Sequence, residues 1–274
     1  MDVTPQGYVK YLDSLTKPYK YAALLASIEK ILAEDEFNKT YGKQRMYEKL
    51  CLDYDCKYSY NTVAKIMREH GLLQKANKPK GLTKSDKKAQ KNDNLLKQNF
   101  TCDEPNKKLV TDITEYTASD GKLYISAIFD CFDNACLGLS MDDNMRATLV
   151  ESTINQAAGR YNLRDALLHS DRGSQYTSEL VRDALAKLGI TQSMNSAAGR
   201  CHDNAKCESM WARAKHEIMS CYNTKKMTRE ELKRLIFRYY MSYWNNRRIC
   251  SAIGGVPPMM IRDTYYKNLS VRAA

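Results

Sequence analysis

From residue 106 onward the apolar residues recur first in short runs and then in alternating periods, and this switch constrains the fold more than any other feature of the chain. The segments 109–116, 123–131 and 136–141 are short β-rich or apolar runs, separated by Ser119-Asp120-Gly121 and by Asp133-Asn134, which read as the turns of an antiparallel meander. A helical pattern follows at 148–161, an apolar strand at 166–170, a helix at 178–188, a strand at 191–194, and a helix from 204 to about 220. Three meander strands followed by alternating helix and strand predict a mixed α/β sheet with helices packed on it.

The chain before this region has only the helical period. Tyr21, Leu24, Leu25, Ile28, Ile31 and Leu32 fall at helical spacing and predict an amphipathic first helix. A second helix at 43–52 groups Met46, Tyr47 and Leu50, and a third at 61–70 groups Val63, Ile66 and Met67 and closes at Gly71. Three short helices predict a helix-turn-helix unit, whose last helix would turn Thr62, Lys65 and Arg68 away from the core, toward a DNA groove. Between residues 74 and 99 the periodicity is lost, and eight lysines stand against Asp86 and Asp93. That composition predicts a basic linker able to track phosphates without reading sequence.

The expected organisation is an N-terminal tail at 1–19, a helix-turn-helix domain at 20–73, a linker at 74–105, a mixed-sheet core at 106–222 and a C-terminal helical extension at 223–274. The last begins with a capping box, Thr228-Arg-Glu-Glu231, followed by Leu232, Leu235, Ile236, Tyr239, Tyr240 and Tyr243 on one helical stripe that packs on the core.

Charge narrows the partner. A formal net charge of +11 and a pI near 9.1 favour a polyanion, because clustered Lys and Arg displace condensed counterions from nucleic acid. Nine cysteines without a paired C-x-x-C spacing read as reduced thiols. Cys201, His202 and Cys207 lie close in sequence, but four histidines in all do not provide the paired ligands of a structural zinc module. No apolar run approaches the ~20 residues of a membrane span, and the start Met-Asp-Val-Thr-Pro-Gln is no signal peptide, so the expected location is the cytoplasm, on the nucleoid.

Three carboxylates stand where chemistry is expected: Asp112 on the first strand, Asp171 just after the fourth, and Glu208 near the start of a later helix. Hard oxygen ligands converging from separate elements are what Mg²⁺ or Mn²⁺ requires, and side chains at strand ends of an α/β sheet converge at one edge. Lys215 lies seven residues after Glu208, on nearly the same helix face, and is a candidate grip on DNA. Arg172 and Arg200 are weaker candidates for the same task. His169, Gln175 and Tyr176 would shape the pocket, while Asp203 and Asn204 would cap or assist at the head of the Glu208 helix.

Taken together, Thr111-Asp112-Ile113-Thr114, His169-Ser-Asp-Arg-Gly-Ser-Gln-Tyr176 and Cys201-His-Asp-Asn-Ala-Lys-Cys-Glu-Ser209 resemble the catalytic core of the DDE transposases and retroviral integrases. The likeness is greatest to the insertion-sequence transposases made from two overlapping reading frames. Tyr41-Gly-Lys-Gln-Arg45 with Val63-Ala-Lys-Ile-Met-Arg-Glu-His-Gly-Leu72 is similar to the helix-turn-helix of that family, and Tyr243-Trp-Asn-Asn-Arg-Arg248 with Pro257-Pro258 to its end. The sequence departs from the pattern at Leu109, where Trp is frequent, at Cys207, where Ala is common, and at Trp244, where Tyr is expected. The interval from Asp171 to Glu208 is one residue longer than usual, which places a small insertion near 196–199.

The resemblance implies an RNase H-like fold for the mixed-sheet core. It implies that Asp112, Asp171 and Glu208 bind two Mg²⁺ (or Mn²⁺) ions, and that DNA is cut at transposon ends and the freed 3′-OH transferred to a new phosphodiester. The implied partners are double-stranded DNA carrying terminal repeats, target DNA, further copies of the chain and an upstream-frame protein. The competing expectations are a metal-dependent nuclease of the same fold, and a DNA-binding regulatory or incomplete transposase fragment without catalysis of its own.

Overall fold

The computed structural model describes residues 4–16, 18–73, 94–96, 99–195 and 204–273, and the chain divides into two compact units, residues 1–75 and 76–274. In the first unit, α1 (Pro5–Thr16) occupies most of the stretch expected to be a tail. It is followed by α2 (Ala22–Glu34), a 3₁₀ turn (Glu36–Thr40), α3 (Lys43–Tyr54) and α4 (Tyr60–Glu69). Leu24, Ile28 and Ile31 from α2, Met46 and Leu50 from α3, and Val63, Ile66 and Met67 from α4 are buried, which is the apolar stripe the spacing predicts. The 3₁₀ turn adds Phe37 to this core, and Asn38 ties it back by donating from Nδ2 to the Ile31 carbonyl at 2.8 Å.

Both ends of α4 are set by local chemistry. The Ser59 hydroxyl accepts from the Thr62 N–H at 3.3 Å at the N-terminus. At the other end Gly71 adopts φ +65° while the Leu72 N–H reaches the Met67 carbonyl at 2.8 Å, closing the helix with a left-handed residue that glycine tolerates without strain.

The second unit is built on a five-stranded sheet. Its strands are β1 (Lys108–Ala118), β2 (Gly121–Asp130), β3 (Cys136–Asp142), β4 (Leu167–Ser170) and β5 (Thr191–Met194), in the order β3-β2-β1-β4-β5. The β1–β2 and β2–β3 pairs are antiparallel, whereas β1–β4 and β4–β5 are parallel. The helices are α5 (Ala147–Ala158), a short α6 (Ser174–Thr177), α7 (Glu179–Leu188), α8 (Ala205–Cys221), α9 (Arg229–Phe237) running into a π-helical segment (Arg238–Trp244), and α10 (Pro258–Ala273). A three-stranded antiparallel half extended by two parallel strands is the RNase H-like arrangement that the motifs imply.

Side-chain alternation divides the core into two layers. Ile128 packs with Leu109, Leu137, Val150, Ile154, Leu168, Val181 and Leu185, so α5 and α7 cover one face. The next residue, Phe129, points the other way and meets Trp211 at 5.6 Å and Tyr240 at 5.7 Å between ring centroids, so α8 and the π-helical segment cover the second face. Gly138 permits the close approach of β3 to α5, since a Cβ there would lie 2.5 Å from the Thr153 carbonyl oxygen.

The C-terminal extension begins with the expected capping box, in which Thr228 and Glu231 satisfy one another's backbone N–H groups. It is fastened by two buried ion clusters. Arg248 grips Glu217 of α8 through Nε and Nη2, the latter at 2.6 Å, while the Tyr239 hydroxyl donates to the same carboxylate at 2.8 Å. Arg262 of α10 donates to Asp133 at 2.6 Å, to Asp130 at 2.5 Å and to the Asn106 side-chain oxygen at 2.9 Å.

Candidate active site

The site grows out of the parallel pairing of β1 with β4. In that ladder Lys108 stands opposite Leu167, Leu109 opposite Leu168 and Val110 opposite His169. Continued two positions past the last pair, the same register brings Asp112 level with Asp171. Asp112 continues along β1, while Asp171 is the first residue after β4 ends at Ser170. The two acids therefore emerge side by side at the carboxyl end of β4, where the parallel pairing stops.

Local hydrogen bonds orient both. The Ile113 N–H donates to Asp112 Oδ1 at 2.8 Å, and the Gly173 N–H donates to Asp171 Oδ1 at 3.0 Å. Around them the sheet edge is tied together by buried polar side chains. His169 bridges to Ser193 of β5 at 2.9 Å and to the side-chain oxygen of Asn195 at 2.9 Å. The Thr111 hydroxyl donates to the Ala127 carbonyl at 2.8 Å and lies 3.3 Å from the Tyr176 hydroxyl. Gln175 donates to the Met145 carbonyl at 3.1 Å, which holds the loop after Asp171 against the start of α5. His169 and Tyr176 are thus buried beside the residues that precede Asp112 and follow Asp171.

The third acid comes from α8. Glu208 lies in its first turn, and the head of this helix is fastened to β1 because Asn204 Nδ2 donates to the Thr111 carbonyl at 3.2 Å, immediately before Asp112. The sequence offers Asn204 as a helix cap, yet its side chain makes no capping bond; the amide spans to the neighbouring strand instead. Asp203, Arg200, Cys201, His202 and the expected insertion at 196–199 lie outside the described residues.

Electrostatics tie the three acids into one group. The Asp112 carboxyl is pushed up to about 7, first by burial, then by the negative charge of Asp171, with Glu208 adding to it; the Ile113 N–H and the Lys215 ammonium pull the other way. Lys215 itself sits 5.5 Å from the centroid of the Tyr116 ring. Burial lowers its pKa, offset in part by Glu115 and Asp112. Two helical turns beyond Glu208 on α8, it feels the charge of Asp112.

Among the described residues no three acidic, histidine or cysteine side chains already stand at the mutual spacing of a closed metal centre. The donor chemistry nonetheless fits a hard divalent cation. Asp112 and Asp171 each give Oδ1 to a backbone N–H, three carboxylates come from three elements, and the repulsion that Asp171 and Glu208 exert on Asp112 is the kind that bound positive charge relieves.

The remaining residues expected to contact DNA differ in their surroundings. Arg172 is turned back onto the Asn195 carbonyl by its Nε at 2.5 Å, so it braces the end of β5. On α4, Lys65 and Arg68 are exposed and Thr62 is half-buried against the Ser59 hydroxyl at 3.0 Å. Lys65 also lies 3.6 Å from Glu69, an exposed pair one helical turn apart that contributes a few tenths of a kcal/mol. Asn195, which links His169 to β5, belongs to no motif that singles it out.

The integrase core domain family matches residues 103–201, and an HTH-like domain family matches residues 20–80. Among curated proteins, the chain is 31% identical over 268 residues to a putative transposase of insertion sequence element IS150 from Escherichia coli, covering 97% of this chain and 92% of that protein. It is 34% identical over 207 residues to a transposase-like protein of Haemophilus influenzae, covering 75% and 94%. It is also 31% identical over 239 residues to a transposase of insertion sequence IS3A from E. coli, covering 84% and 78%. Among solved structures, the catalytic core domain of BIV integrase aligns with TM-score 0.44 and 18% identity, over 62% of this chain and 99% of that one.

Proposed function

The chain belongs to the insertion-sequence transposases, and from that premise we propose that it cuts DNA at the ends of a mobile element and joins the freed 3′-OH to a new phosphodiester, with Asp112, Asp171 and Glu208 as its metal-holding carboxylates. The observation that supports this reading is the placing of Asp112 and Asp171 beside each other, with Glu208 near enough to act on Asp112. Asp112 and Asp171 are level in register where β1 and β4 part, and both Asp171 and Glu208 raise the pKa of Asp112.

Asp112 would hold divalent metal, Mg²⁺ or Mn²⁺ and two ions in all, from the strand, Asp171 from the loop after β4, and Glu208 from α8. Such ions, when bound, supply Lewis-acid stabilisation of phosphoryl charge and lower the pKa of an attacking water. The backbone N–H groups of Ile113 and Gly173 keep the two aspartates oriented. The Lys215 ammonium, half-buried over Tyr116 on the Glu208 helix, offers a positive contact for a phosphate beside the cut. Arg172 and Arg200 are secondary in this role, Arg172 acting mainly through Asn195.

The helical unit, with Thr62, Lys65 and Arg68 along one side of α4, would bind the terminal repeats in the major groove. The domain limits proposed from the sequence, with 20–73 for this unit, 106–222 for the catalytic core and 223–274 for the extension, go with that division of labour. Holding two DNA ends at once calls for at least a dimer, and an upstream-frame protein is a further proposed partner. No helix among the described residues is long and apolar enough to cross a membrane, and the proposed place of action is DNA at the nucleoid.

A direct test supplies the protein with a pre-cleaved, 3′-end-labelled terminal repeat, plasmid target and Mg²⁺ or Mn²⁺. Transfer of label into the plasmid is the expected outcome. Degradation of the labelled DNA without any joined product would reduce the protein to a nuclease of the same fold.

A further inference from the structure

Asn204 is 3% exposed, and its two side-chain atoms have unequal fates. Nδ2 donates across to the Thr111 carbonyl at 3.2 Å, on the residue before Asp112. Oδ1 is buried and has no hydrogen-bond partner among the described residues. Reversing the amide does not repair this, because two oxygens would then face each other at Thr111. A buried acceptor left unsatisfied is costly and rare, and it marks either strain or a ligand that completes it. Capping is excluded as its purpose, since the side chain makes no bond to the first turn of α8.

The position tells which ligand fits. Asn204 stands one helical turn before Glu208 at the head of α8, buried where Glu208 is exposed. Its Nδ2 already rests on the strand that carries Asp112. An amide oxygen is a neutral hard acceptor, suited to hydrogen-bond donation from water that accompanies a divalent cation and ill suited to any anion.

We propose that Asn204 is a positioning residue of the metal site: Nδ2 locks the head of α8 onto β1 beside Asp112, and Oδ1 accepts a hydrogen bond from water held by the divalent ion. This rests on the reading of Asp112, Asp171 and Glu208 as metal-holding carboxylates. Outer partners of this kind typically change metal affinity by about 10–100-fold when removed.

The test is Mn²⁺ titration of the full-length chain without DNA, followed by the resonance of free Mn²⁺, together with thermal melting in chelator. Wild type is compared with Asp112→Asn, Asn204→Leu and Asn204→Asp. Asn204→Leu should weaken Mn²⁺ binding about tenfold or more. Asn204→Asp keeps an oxygen toward the ion but sets a second against the Thr111 carbonyl. It should melt lower in chelator while binding Mn²⁺ no more weakly than wild type. A merely structural role would lower the melting temperature of both variants and leave their Mn²⁺ affinity at the wild-type value, and that result overturns the proposal. If Asp112→Asn also bound Mn²⁺ as wild type does, the metal site itself would fall; if only Asp112→Asn lost affinity, the site would stand and the role of Asn204 would not.

Discussion

Replacing Asp171 by Asn is expected to reduce strand cleavage and joining by at least about a thousandfold, more than the ~10²–10³ lost with a single transition-state hydrogen-bond donor. The carboxylate is one of three that would share positive charge, and an amide is a far poorer ligand for a hard cation. The substitution leaves the fold intact for a specific reason. Asn Oδ1 can still accept from the Gly173 N–H that now holds Asp171 at 3.0 Å. Terminal-repeat DNA should bind as tightly as to wild type, or slightly more tightly, because one negative charge near the phosphates is gone. Gel-shift and cleavage assays on the same preparation separate the two effects, and a variant that cuts normally removes Asp171 from the site.

The largest expected effect on stability comes from Arg262→Met. The guanidinium is almost fully buried and engages Asp130 and Asp133, both 0% exposed, as well as Asn106. Its removal leaves two buried carboxylates without their counter-ion, a change that typically costs about 3–5 kcal/mol. For a unit of this size each kcal/mol moves the melting temperature by about 2–4 °C. A loss of roughly 10 °C is therefore expected.

The pH dependence of that loss has a definite sign. Asp130 is already raised above the ordinary carboxylate value, first by burial and then by Asp133, with Arg262 opposing them. Without Arg262 it rises further. A carboxyl whose folded pKa exceeds its unfolded one contributes stability that is full below the unfolded value and is lost as pH rises through the folded value. The variant should therefore lie closest to wild type at pH 5 and fall furthest behind at pH 8. An equal deficit at both would mean that lost packing, and not unpaired charge, is the cause.

Elements held by their own periodicity are legible in the chain. The strand pattern 109–116, 123–131 and 136–141 appears as β1, β2 and β3 with ends shifted by a residue or two, and the strand 191–194 coincides with β5. The capping box at Thr228 and the glycine stop at Gly71 are chemical signals confined to a few residues, and both operate as the sequence indicates. The same strand patterns locate the two aspartates, Asp112 within β1 and Asp171 just after β4.

Long-range polar pairing is not legible in this way. Arg262 meets Asp130 and Asp133 across more than a hundred residues of chain, and in the sequence Asp133 reads only as a turn residue, with nothing to mark Arg262 as its partner. Glu217 and Arg248 form a second such pair, one on α8 and the other beyond the π-helical segment. Asn204 stands where a cap is expected, and only the arrival of β1 beside it explains why its amide turns away. The helix at Pro5–Thr16 follows the same lesson in reverse: Tyr8, Tyr11 and Leu12 have helical spacing, but they remain exposed and mark no core.

The measurement that bears most directly on the central claim uses end-labelled DNA carrying the element's own terminal repeats, incubated with purified protein and Mg²⁺ or Mn²⁺ beside the Glu208→Gln variant. Metal-dependent nicking at the repeat end together with a joined product, both lost in the variant, is the result expected of three carboxylates acting as one site. Nicking and joining that persist undiminished in Glu208→Gln would contradict it.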